Sequence, residues 1–236
     1  MAFCFYNEDE CHSIFICLFF MKKILLINCF LLLSCPLFAQ KKAKAYKDGE
    51  WLKYKMSYSG FFKAGTAELS LKETELDGKK VFHANGFGKT SDFIGWFFKV
   101  SDTYESYFDF NNNVPYLFKR DVNEGGYIIK RDTKFDHETK IATVEDFKYN
   151  TIKEVPFDNV QDMISAFYYL RNIDVDTIKT GDEIDLNMFF DSKTFAFKLR
   201  FLGNEVIKTK FGKIKTIKLR PIVQSGREFK ETESVT

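Results

Sequence analysis

Gly86-Phe87-Gly88-Lys89-Thr90 carries the residue types of a phosphate-binding loop: small residues, a lysine and a hydroxyl. That loop needs a further glycine where this chain has His83, and a helix whose first amides face the phosphates. Ser91–Phe98 amounts to one amphipathic turn, so the segment reads as a strand end with glycines at a bend. Asp109-Phe110-Asn111-Asn112-Asn113 opens like a calcium loop. Val114 then stands where the loop needs glycine, and Arg120 where it needs the bidentate glutamate. An Asx-rich turn is the better reading. Beyond the first 39 residues the histidines are His83 and His137, in separate segments, too few for a zinc site of three or four ligands. No metal and no cofactor is implied. No serine sits in a G-x-S-x-G setting. Carboxylates are plentiful, and a glycosidase pair about 5–9.5 Å apart is compatible with many of them, so a glycan hydrolase stays open as an alternative.

Two patches have binding rather than catalytic chemistry. Phe93, Ile94, Trp96, Phe97 and Phe98 crowd around Gly95, too densely for a one-sided strand or helix. They form either a plug closing one end of a sheet or the wall of an apolar pocket or membrane-facing lip. Lys208, Lys210, Lys213, Lys215, Lys218 and Arg220 alternate along strands near the end of the chain. Lysines in such places usually block edge-to-edge pairing; contact with anionic lipid or polysaccharide is the sharper alternative. The chain as a whole carries 35 basic and 33 acidic residues, which gives no field for nucleic acid.

The elements behind these patches belong to an exported protein. All five cysteines, Cys4, Cys11, Cys17, Cys29 and Cys35, lie in the first 35 residues. Met21-Lys22-Lys23 opens an apolar run from Ile24 that ends at Leu37-Phe38-Ala39, the form of a secretory signal peptide over residues 21–39. Residues 1–20 contain Glu8, Asp9 and Glu10, wrong for a signal n-region, and read as an over-long start; a genuine extension is the rival. Neither apolar half reaches the ~20 residues of a membrane span. Cleavage after Ala39 leaves a periplasmic or outer-membrane-associated protein. Leu32-Leu33-Ser34-Cys35 resembles a lipobox, so a lipoprotein anchored at Cys35 is the alternative. Residues 40–236 then form a single β-rich domain without disulfides, held by its core. With 28 Phe, 11 Tyr and 2 Trp, that core is well supplied.

Period-two alternation dominates: Leu52, Tyr54, Met56 and Tyr58, then Ala67, Leu69 and Leu71, and later Phe195, Phe197, Leu199 and Phe201. Asp77-Gly78, Gly125-Gly126 and Asp191-Ser192 punctuate these runs as short turns, which makes the strands antiparallel neighbours. Asn159–Asn172 instead repeats at helical spacing, with Asp158 or Asn159 as cap. Val160, Met163, Ile164 and Phe167 should face inward and Gln161 and Asp162 outward. A weaker helical turn is expected at Asp92–Phe98, opened by Ser91 or Asp92.

Gly49-Glu50-Trp51-Leu52-Lys53-Tyr54, Ala64-Gly65-Thr66-Ala67, Lys99–Tyr104, Gln161–Arg171, Gly181-Asp182 and Thr209–Pro221 together resemble the domain-of-unknown-function family 3108 of exported Gram-negative proteins. The resemblance spans roughly residues 46–223. It implies a mainly β fold: a curved antiparallel sheet rolled toward a partly open barrel, with one helix packed against it. That shape resembles carriers of lipoproteins and other apolar cargo, and it brings no catalytic residues. The resulting expectation is a non-catalytic cell-envelope protein that binds an apolar or lipid-like ligand or an envelope partner, membrane-peripheral at most. A purely structural or assembly role is the third class. The last ten residues still alternate, Phe229 against charged neighbours and then Val235. A strand halted in mid-pattern, and the family resemblance, lead us to expect further strands beyond residue 236 and an exposed apolar edge near Leu219–Val223.

Overall fold

A computed structural model describes residues 44–58 and 62–222. Residues 1–43, which include the expected leader at 21–39 and Cys35, and the stretches 59–61 and 223–236 lie outside the described residues. The twelve strands of the described residues form two sheets. The first contains β1 (Trp51–Tyr58), β2 (Phe62–Leu76), β3 (Lys79–Thr90), β4 (Ser101–Asp109), β5 (Pro115–Glu124), β6 (Tyr127–Asp136), β7 (Ile141–Asp146) and β8 (Thr151–Pro156). Its spatial order is its sequence order, every pair is antiparallel, and β1 and β8 remain its two edges. The second sheet runs β12 (Gly212–Ile222), β11 (Lys193–Thr209), β10 (Glu183–Phe190), β9 (Val160–Gln161), with β9 parallel to β10. Among the described residues two helices complete the fold, α1 (Asp92–Gly95) and α2 (Met163–Arg171).

The expected mainly antiparallel, unclosed sheet with a helix against it is what forms. Three hairpins turn on the dipeptides read as turns. Asp77-Gly78, Gly125-Gly126 and Asp191-Ser192 each have positive φ at both residues, the conformation whose twist matches paired strands. Asp109 does nucleate an Asx turn, its Oδ1 accepting from the amides of Asn111 at 2.7 Å and Asn112 at 2.9 Å.

The core lies between the sheets. Leu71 of β2, Phe82 and Ala84 of β3, Phe108 of β4, Phe118 of β5, Phe135 of β6 and Val144 of β7 all point to the face that receives α2. Phe189 of β10 closes from the other side, its ring 5.3 Å from that of Phe135. Tyr46, ahead of β1, packs edge-on to Phe82, Phe108 and Tyr168.

The helix departs from its expected frame. It starts at Met163, because Asn159 takes a positive φ and Val160–Gln161 pair with Asn187–Met188 of β10 instead. The cap is Asp162, not Asp158 or Asn159. Val160 and Ile164 are buried as expected, whereas Gln161 and Asp162 are buried too and Met163 is exposed. A buried cap reverses the simple inward–outward reading: the Asp162 carboxylate must enter the core to reach the amides it serves.

Candidate functional site

The inward face of β1–β4 changes character along its length. Where Phe82 pairs with Phe108, large rings fill the space beneath Tyr46 and Tyr168. Two ranks further on, Leu52, Leu69, Gly86 and Tyr104 lie abreast, and one rank beyond that Tyr54, Ala67, Gly88 and Asp102. Small residues on neighbouring strands thus coincide and leave a hollow of about 610 Å³. Ile164 and Phe167 of α2 roof it, Met56 and Tyr54 wall it on the β1 side, and Ile94 and Val100 stand at the α1 end. Tyr54 and Met56 keep 46% and 44% of their surface because they face this open space.

The two glycines of the floor play different parts. A Cβ on Gly86 would come within 3.2 Å of Ile164 Cδ1 and 3.4 Å of Leu69 Cδ1, so glycine there lets the helix approach the sheet. A Cβ on Gly88 would meet nothing within 4 Å. Gly88 is open floor.

The roof is fixed by a polar anchor. Ser106 Oγ of β4 donates to Asp162 Oδ2 at 2.6 Å, and the Ile164 and Ser165 amides donate to Oδ1 at 2.8 Å. The Asp162 amide donates in return to Ser165 Oγ at 2.9 Å, completing a reciprocal cap. Burial pushes the Asp162 carboxyl up to about 6 against these stabilising bonds. At the other end of α2, Arg171 donates to both carboxylate oxygens of Glu50 at 2.6 and 2.7 Å, tying the helix to the start of β1. Two segments that carry the family resemblance are joined here.

Polar groups at the hollow are few. Asp102 is buried and its Oδ1 accepts from the Asn123 amide at 2.9 Å. Burial first, and then the Asp102 charge, raise the Tyr104 phenol above its ordinary value. Glu68 is engaged by Lys53 Nζ at 2.6 Å. Both acids at the wall are therefore committed to partners.

The residues singled out from sequence separate. Ile94 lines the hollow; Phe93, Trp96, Phe97 and Phe98 do not, and stand exposed beside its mouth. Phe98 makes the packing a plug would make: its ring edge covers Gly125 so closely that a Cβ has no room. The cations of the β11–β12 hairpin also divide. Lys208 and Lys213 pair across the strands on the face that also carries Lys215. Lys218 lies on the opposite face, where its Nζ is 3.6 Å from Glu205, with Arg220 two residues on. Lys210 sits at the tip beside Phe211. Nothing in the sequence alone marks Asp102, Tyr104 and Ala67 as lining the hollow, and Gly88 reads there only as part of a bend. The signal lay in Gly86-x-Gly88 and Ala67, small residues at strand period, but only the β2–β3 register brings Ala67 opposite Gly88.

Residues 53–236 match the family described as "Protein of unknown function (DUF3108)". No curated protein and no solved structure matches the chain.

Proposed function

The chain belongs to the DUF3108 family, and within it we propose a non-catalytic binding protein of the cell envelope that holds an apolar or lipid-like ligand between β1–β4 and α2. The hollow carries this reading: about 610 Å³, within the roughly 300–1,000 Å³ of small-molecule sites, lined mostly by apolar groups with a few polar ones among them. Its floor is made of small side chains aligned across strands, and its roof is pinned at both ends. A cavity held open in this way is preformed for an apolar guest. The leader at residues 21–39 supports an envelope location, and Cys35 a lipid-anchored form of the same protein.

A glycan hydrolase is the weaker reading, because Glu68 and Asp102 are each held by a partner rather than set as an acid–base pair across the hollow. The test is titration of the delipidated protein with a long-chain fatty acid and an environment-sensitive apolar dye. Saturable binding with about one site, abolished by Gly88→Leu, is expected. No binding, or binding indifferent to Gly88→Leu, overturns the proposal.

A further inference from the structure

We infer that the corner formed by α1 and the β11–β12 tip docks on an anionic lipid membrane. Phe93, Trp96 and Phe97 expose 63%, 82% and 69% of their surface. Phe97 meets the rings of Phe93 at 5.9 Å and Trp96 at 4.9 Å, so the three aromatics pack on one another in a cluster projecting from the sheet end. Phe211, at the hairpin tip, exposes 80%. These two aromatic points are neighbours. Lys63 and Thr66 line the cleft that Phe93 borders and also the cleft that Phe211 and Lys210 border.

The charge between and around the points is predominantly positive. Lys55, Lys63, Lys89 and Lys210 line the two clefts and make no ion pair among the described residues. Asp92 is the one acid in either lining, while nearby Lys53 is already matched by Glu68. Exposed aromatics flanked by unmatched lysines are what an anionic interface takes: the rings enter the headgroup layer and the ammonium groups stay in its negative potential. A protein partner would want a flat patch of about 800 Å² per side, not separate aromatic points with cations between them.

The docking surface also adjoins the hollow. Lys89 and Thr90 line both the hollow and the Phe93 cleft, and Ile94 stands at the hollow mouth. Docking therefore places that mouth at the lipid, although membrane binding itself does not require a ligand in the hollow.

The chain has two tryptophans, so Trp51→Phe leaves Trp96 as the sole indole. The full chain carrying this change should co-sediment with phosphatidylglycerol-containing vesicles and shift its emission to the blue, and added salt should weaken both. Trp96→Ser with Phe97→Ser, read by co-sedimentation in the parent chain, should weaken binding at least tenfold. Lys63→Gln and Lys89→Gln should cost about fivefold each on anionic vesicles. Gly88→Leu should leave vesicle binding intact, which separates this surface from the hollow. Equal binding to pure phosphatidylcholine vesicles, or no loss on removing the two aromatics, overturns the inference. So does a vesicle-free dimer, seen by sedimentation velocity, that the same aromatic changes abolish.

Discussion

The two ends of one sheet face are built from the same strands and the same register, yet one is solid and the other hollow. At the solid end Phe82, Phe108, Tyr46 and Tyr168 interlock, with Phe82, Phe108 and Tyr168 almost wholly buried. At the hollow end Ala67, Gly86 and Gly88 occupy the equivalent positions under α2. The difference teaches that stability and binding are assigned to separate ranks of a single ladder. Rings on adjacent strands supply cohesion, and small residues on the same strands supply room.

The sharpest break should come at the solid end. Phe108→Ala removes a fully buried ring and should lower the unfolding free energy by about 3–5 kcal/mol. Denaturant titration measures this, and affinity for an apolar dye under native conditions should change little. A change that abolished dye binding in the still-folded variant would show that the two ends are not separate.

The anchor of the roof gives the next effect, and it depends on pH. Asp162 has its folded pKa raised to about 6 from an ordinary 3.8, so the folded state binds the extra proton. Its contribution to stability is therefore most favourable below about pH 4 and falls as pH rises through about 6, by roughly 2–3 kcal/mol. Asp162→Asn removes this dependence. The stability of the Asn variant relative to the parent should rise between pH 4 and 6 and level off above, as measured by urea denaturation across that range. A constant difference would mean that the carboxyl titrates normally.

A smaller effect belongs to the clamp at the other end of α2. Glu50→Gln leaves Arg171, whose side chain is 24% exposed, with a weaker acceptor. Solvent reaches the pair, so the expected loss is about 1–2 kcal/mol, below that of a fully buried pair. A melting curve measures it. The smallest stability effect is expected where binding changes most. Gly88→Leu adds a side chain into open space, and its unfolding free energy should move by less than about 1 kcal/mol, in the stabilising direction. Its dye binding should disappear. Loss of stability instead would show that the floor is already filled.

Much of this architecture was legible before any coordinates. Alternation marked the strands, and dipeptides such as Asp77-Gly78 and Gly125-Gly126 marked the turns, because both signals act within a few residues. The division into two sheets was not legible. It depends on β9 pairing with β10, more than twenty residues away in sequence, while only a short loop separates β8 from β9. The helix start was misread for the same reason: Val160 fits a helical period, but its backbone hydrogen-bonds to a distant strand. At the site, the aromatic run Phe93–Phe98 is conspicuous in the sequence because its residues are large. The hollow itself is made by residues that are small, and these acquire meaning only once cross-strand partners are known.

The order of the larger sheet carries a consequence for how the molecule assembles. Each of its strands pairs with the next one along the chain, so every closure is a hairpin and loop entropy is spent in small instalments. Such a meander can form progressively from its N-terminal end. The Ser106–Asp162 bond, spanning 56 residues, has to wait until β4 is in place. The helix should thus dock late, onto a sheet already standing, and mutations in its anchor should speed unfolding far more than they slow folding.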